Sequence, residues 1–199
     1  MSFTPISGSA YGGTVDPKAP FVLPTGFTQR VVSDETDLDI YKSACAGIPG
    51  LGLNPGSDWP DMTVSNETGT QRGRYLYRTH EVRPFLYDAT CTSTPAGIAA
   101  FKAAGGGALS VIDTKTGTTK VIAQRADWEA LDGLVWTPWG SLLFAEEAIT
   151  AEIGDPDVPK ATSGLVYELG IDRKDPTKST GVKVLPQLGS LSHEGIELD

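Results

Sequence analysis

Several things are scarce in this sequence, and each scarcity excludes a class of protein. Its 199 residues contain no run of about 18 apolar residues, so nothing in it reads as a membrane-spanning helix. Bases are few: 16 Lys and Arg stand against 25 Asp and Glu, a net charge of −9. Such a surface repels a nucleic-acid backbone and suits cations instead. Cysteine is nearly absent. Cys45 and Cys91 are too few for a disulfide scaffold and lack CxxC metal spacing. One bridge between them and two free thiols both stay open. The first residues, MSFTPISGSAYGGTVDPKAP, have neither a basic start nor an apolar stretch. They read as the start of a mature or trimmed chain rather than as a secretory leader, and as an extended arm over residues 1–24.

What is abundant points to β-structure. The chain has 23 Gly and 14 Pro, usage that suits a protein rich in turns. GALSVIDTKTGTTKVIAQ (107–124) reads as a hairpin, with Leu109, Val111 and Ile112 before a polar turn and Val121 and Ile122 after it. DGLVWTPWGSLLFAEE (132–147) reads as a second hairpin turning at Pro138-Trp139-Gly140. SGLVYELGIDRKDPTKSTGVKVLP (163–186) repeats the first, and SHEGIELD (192–199) begins a repeat of the second, as a strand just starting. An earlier copy is visible too, since DWPDMTVSNET (58–68) aligns with TPWGSLLFAEE (137–147) at a constant offset, and GRYLYRTHEV (73–82) begins the next strand. The expected strands are 107–113, 118–124, 133–137 and 141–147 as one unit, with 163–170 and 181–186 in the next. One segment breaks the pattern. TPAGIAAFKAAGGG (94–107) has Thr94 as N-cap, Pro95 at the first helical position and a Gly stop, so a short helix is inserted there.

Four strands per repeat with a period of about 60 residues is the arithmetic of a β-propeller with long loops. A closed ring needs about four such blades. The expected fold is therefore all-β, a partial propeller over residues 25–199, with the missing remainder of the ring as an expected partner.

Acids recur in this repeat. The internal alignment sets Glu67 on Glu146, each closing the strand after a turn, and Asp132 on Glu194, each preceding a Gly at the start of an innermost strand. Carboxylates converging on one axis repel unless a cation offsets them, and oxygen-only clusters suit calcium or iron. His193 has three readings: metal ligand, proton donor or packed side chain. Asn66-Glu67-Thr68 also matches the N-glycosylation pattern. Arg72 and Arg74 follow Glu67 closely enough to clamp a phosphate, or to be solvated turn residues.

TVSNETG with RYLYRTHEV, then LDGLVWTPWGSLLFAEEA, then SLSHEGIELD together resemble the repeated segments of PhoX-type alkaline phosphatases over roughly residues 57–199. The resemblance implies a β-propeller with an iron and calcium cluster, phosphomonoester substrates and a periplasmic or extracellular location. It implies Glu67, Glu146 and Glu194 as ligands, with Glu147 as a substitute. Asn66, Arg72, Asp132, Glu147 and His193 would support the cluster or contact a small phosphorylated substrate. The family's Asn-His-Glu element reads Ser65-Asn66-Glu67 here, and Ala145 stands where the family often has Cys. Two function classes follow: a metal-dependent phosphohydrolase, with a calcium-dependent lactonase or esterase as a variant, and a non-catalytic calcium-binding propeller serving as a binding or assembly module.

Overall fold

A computed structural model describes residues 21–34, 37, 38, 40, 45, 59–69, 71–148, 153–161 and 163–199. Most of the arm expected over residues 1–24 lies outside them. The described chain is mostly β, with two four-stranded antiparallel sheets of the same simple order. The first holds β1 (Pro60–Ser65), β2 (Tyr75–His80), β3 (Gly107–Asp113) and β4 (Thr118–Arg125). The second holds β5 (Leu131–Trp136), β6 (Ser141–Glu146), β7 (Val166–Ile171) and β8 (Ser179–Val184).

The hairpins fall where the turn chemistry placed them, but their grouping differs. Strands 107–124 and 132–147 do not share a sheet. β3 takes its second partner from β2, with Leu76 opposite Ile112, so the hairpin β3–β4 closes the first sheet and β5–β6 opens the second. The repeat unit is therefore 60–125 followed by 131–184, half a unit out of phase with the grouping expected from the sequence. Residues 190–199 carry the alternation of a strand but no strand pairing. Their backbone is held instead by single bonds, Leu191 N–H to Gly164 O and His193 N–H to Glu146 O.

The sheets pack face to face, as period-2 alternation requires. Tyr75, Tyr77, Leu109 and Val111 of the first meet Leu134, Trp136, Phe144, Tyr167 and Leu169 of the second in one buried cluster. Trp128, in the crossover between the sheets, is 1% exposed and fills that seam, edge-on to Phe144 at 4.9 Å. The outer face of the first sheet is covered by the β2–β3 connection. There α1 (Pro95–Ala103) starts on Thr94, whose hydroxyl accepts from Gly97 N–H as an N-cap should. Phe101 of α1 joins Val82, Leu86, Ala108 and Cys45 in a second buried cluster. Cys45 is bonded to Cys91, with Cα atoms 5.6 Å apart, which settles the open choice in favour of the bridge.

β1 runs beside β5, and the segment at 194–196 lies on the other side of β5. Gly133 makes the second approach possible, because a Cβ there would sit 2.5 Å from the Glu194 carbonyl oxygen. No helix among the described residues is long and apolar enough to cross a membrane.

Candidate functional site: the carboxylates at the starts of the inner strands

Strand register decides which acids are equivalent. Pro60 pairs with His80 as Leu131 pairs with Glu146. Asp61 and Asp132 therefore occupy the same position, one residue into successive inner strands, and Glu194 follows the same Acid-Gly pattern as Asp132-Gly133. The structure brings Asp61 and Asp132 together so that their carboxyl groups hydrogen-bond each other. Asp132 is buried at 9% exposure, whereas β1 is exposed along its first four residues, so the pair is open to solvent on the β1 side.

Such a pair cannot carry two full charges cheaply. Burial pushes the Asp132 carboxyl up to about 7, and the neighbouring Asp61, Glu147 and Glu81 add to the rise. Asp61 is raised as well, first by partial burial, against the lowering effect of its bond from Asp132. The bond between them lowers Asp61 and raises Asp132, the signature of a single proton that sits on Asp132 and faces Asp61. Glu81 and Glu147 follow β2 and β6 at equivalent positions and are bridged by Arg83, whose Nη2 lies 2.6 Å from Glu147 Oε2 and whose Nε donates to Glu81.

The remaining residues singled out in the sequence sit elsewhere. Glu146 is 1% exposed and turned into the protein, where its two oxygens accept the backbone N–H groups of Glu129 at 2.9 Å and Leu165 at 3.1 Å. Burial pushes its pKa up to about 7, against the lowering effect of those N–H groups. Glu67 is exposed in the β1–β2 loop, beyond Ser65. Thr68 next to it accepts a bond from Trp136 at the far end of β5, so the structure places Glu67 and Glu146 at opposite ends of the inner strands. Strands of six residues separate those ends by roughly 20 Å. The offset that paired Glu67 with Glu146 in the sequence thus joins a first-strand end to a second-strand end.

Asn66 is 2% exposed and clamps its own hairpin, donating to Gln71 O and accepting from Tyr75 N–H. Both ends of its amide are used, so the folded chain does not present it for glycosylation. Arg74 is taken by Asp113 in a two-point bond at 2.9 and 2.6 Å, while Arg72 is exposed in the turn. His193 is half-buried beside Glu146, with its Nε2 enclosed and without a hydrogen-bond partner.

Asp61, Glu81 and Arg83 were missed in the sequence. The signal was present: Asp61-Met62-Thr63-Val64 matches Asp132-Gly133-Leu134-Val135 at both ends, and His80-Glu81 matches Glu146-Glu147. Aligning the copies on inner strands rather than on turns would have found them.

An all-carboxylate pair offers hard oxygen donors, the kind calcium takes. Among the described residues, no three His, Cys, Asp or Glu side chains converge closely enough to hold an ion. The pair thus fits a hard cation in kind and supplies part of a coordination sphere. Searches against protein-family models, curated proteins and solved structures find no match to this chain.

Proposed function

We propose that the chain is a section of a β-propeller whose inner strands carry a hard-cation site at the Asp61–Asp132 end, and that it belongs to a metal-dependent phosphohydrolase. The observation that carries the cation site is the meeting of Asp61 and Asp132, two carboxyls placed by identical register in successive sheets. Two face-packed four-stranded meanders with neighbouring inner strands support the propeller reading. The ordered motifs shared with PhoX-type phosphatases support the choice of phosphomonoesters and an exported location. Asp61 and Asp132 would hold calcium, with Glu194 next in line. A cation bound there would supply charge stabilisation at a phosphoryl oxygen. The residues' own part is to present ionised oxygens on an open face and to give up the shared proton when a cation arrives. Carboxylate-rich sites also take iron, the second metal the motifs imply.

The non-catalytic reading has one observation in its favour. Arg83, the guanidinium whose charge acts on Asp61, is already tied to Glu81 and Glu147 and is not free to bind a phosphate. The experiment separates the two. Metal content, calcium-dependent thermal stability and turnover of p-nitrophenyl phosphate are measured with and without chelator, for the protein and for Asp132→Asn and Glu67→Gln. We expect calcium to raise the melting temperature of the protein and of Glu67→Gln but not of Asp132→Asn. Turnover that chelator and Asp132→Asn both abolish supports the hydrolase. Calcium stabilisation without turnover leaves the binding module, and no calcium effect on any variant overturns the site.

A further inference from the structure

The other end of the inner strands holds a cleft of about 400 Å³, between the β1–β2, β5–β6 and β7–β8 loops. That volume lies in the range of small-molecule sites, roughly 300–1,000 Å³. Its walls are Trp136, Pro138, Trp139, Ile171 and Pro176. We infer that this cleft is a saccharide-binding site, in which a neutral sugar ring stacks on Trp139 and its hydroxyls are read by the polar rim. The inference does not rest on the cation site, which lies at the opposite end of the same strands.

Three features carry it. First, both indoles are held in place. Trp136 donates its N–H to Thr68 at 3.0 Å and stacks on Tyr77 at 5.5 Å, and the Tyr77 hydroxyl in turn donates to Pro176 O at 2.8 Å. Trp139 donates to Glu168 Oε1 at 2.7 Å, and the same oxygen accepts from Ser141. Second, Trp139 is 57% exposed although its one polar atom is already bonded within the protein. An indole fixed in that way presents a rigid, flat apolar face toward the cleft, on which a ring can stack without further ordering of the side chain.

The third feature is the rim, which mixes donors with acceptors. Gln71 uses its Oε1 to accept from Arg74 and Tyr75, which leaves its amide N–H₂ for a ligand. Asp172 uses Oδ1 to cap the N–H groups of Lys174 and Asp175, which leaves Oδ2. Arg173 is exposed with no ion pair among the described residues. A ligand with apolar ring faces and an edge of hydroxyls, each both donor and acceptor, satisfies all of these at once. An organic anion would face Asp172 and a net charge of −9, and an organic cation would face Arg173.

The test uses cellobiose, N,N′-diacetylchitobiose and maltotriose as probes, with 1-anilinonaphthalene-8-sulfonate as the anionic competitor class. Binding is followed by indole fluorescence and by saturation-transfer NMR on the sugars. At least one sugar is expected to bind saturably and to shift indole emission to shorter wavelength. Trp139→Ala should weaken that binding about tenfold or more, since a central aromatic anchor carries most of such an interface. Its melting temperature should stay unchanged, because the side chain lies at the surface. Arg173→Ala should weaken binding less. Failure of all three sugars to bind saturably, or equal affinity in Trp139→Ala, overturns the inference. Saturable sulfonate binding that Trp139→Ala abolishes, with no sugar binding, overturns it in favour of an organic anion.

Discussion

The two sheets share a strand order, a register and an acid at the same place on the inner strand, yet they differ where the second strand ends. In the first sheet that position is His80, buried and bonded through Nε2 to Ser110 at 2.7 Å. In the second it is Glu146, equally buried, but accepting backbone N–H groups from two loops. The connections beyond these residues differ in the same sense. After β2 the chain builds a disulfide-tied layer with a helix, whose apolar side chains cover the face of β3 that carries Ala108. In the described part of the loop after β6, residues 155–158 are organised around a buried acid, Asp155 at 5% exposure, which accepts from Tyr167 and from the N–H groups of Asp157 and Val158. One side of the repeat is stabilised by apolar burial and a covalent tie, the other by buried carboxylates. The inner strands agree at Asp61 with Asp132 and at Val64 with Val135, whereas the connections that follow the second strands share neither length nor chemistry.

The largest effect is expected at the seam that joins the two. Trp128 touches both halves: its carbonyl accepts from Gly107 of β3, and its ring meets Phe144 and Tyr167 of the second sheet with Arg125 stacked on it. Trp128→Ala should cost about 3–5 kcal/mol, the range for deleting a large buried aromatic. Urea denaturation followed by circular dichroism measures it. If the two sheets were independent units, the variant would unfold in two steps; a single step at a lower midpoint shows that they are one.

Glu146 sharpens the contrast at the second-strand end. Glu146→Leu removes the acceptor of two buried N–H groups, a loss partly offset because a buried carboxylate is gone as well. A net loss of about 1–3 kcal/mol is expected near pH 5. The deficit should shrink as pH rises. A carboxyl whose folded pKa is raised stabilises the fold below its unfolded pKa and loses that contribution as pH climbs toward the folded value, here about 7. By about pH 8 the native protein has lost what Glu146 contributed and the variant has not. A deficit that grows with pH would mean that the N–H groups hold Glu146 ionised and that burial is the lesser effect.

Much of this architecture was legible because hairpins are local. Asp113 to Gly117 and Pro138 to Gly140 mark turns by their own chemistry, and Thr94-Pro95 marks a helix start, so the strands β3 to β6 and α1 fall close to where the residues predict them. The grouping of hairpins into sheets is not local. It depends on β2 reaching β3 across a long connection that carries a helix and a disulfide, and no short-range pattern encodes that pairing. The site suffered from the same phase error. Glu67 and Glu146 look alike because each follows a turn, whereas Asp61 and Asp132 are alike because each begins an inner strand. Glu146 was legible as a special acid but not as a structural one, since its partners Glu129 and Leu165 offer only backbone. The cleft at Trp136 and Trp139 gave no signal as a site, since Trp139 reads as a turn residue.

The smallest effect concerns the two ends of the inner strands, and it separates Asp132 at one end from Glu67 at the other. Asp132 takes a proton more readily in the folded chain than in the unfolded one, because burial and Asp61 both penalise its charge. The folded state therefore binds more protons between about pH 4 and pH 7, and stability falls as pH rises through that window. Asp132→Asn removes this loss. An amide keeps a hydrogen-bond donor toward Asp61 without adding a second charge, so the variant should gain on the native protein with rising pH. The gain should be on the order of 1 kcal/mol at about pH 8, since the open β1 side lets water screen part of the repulsion. It should not remove the whole slope, because Glu146 titrates in the same window with the same sign. Glu67 is exposed at the opposite end, and Glu67→Gln should leave the profile as it is. Thermal melts at closely spaced pH values decide the matter. Parallel curves for the native protein and Asp132→Asn would mean that the two aspartates do not share a proton, and the pair would then be an ordinary solvated strand start.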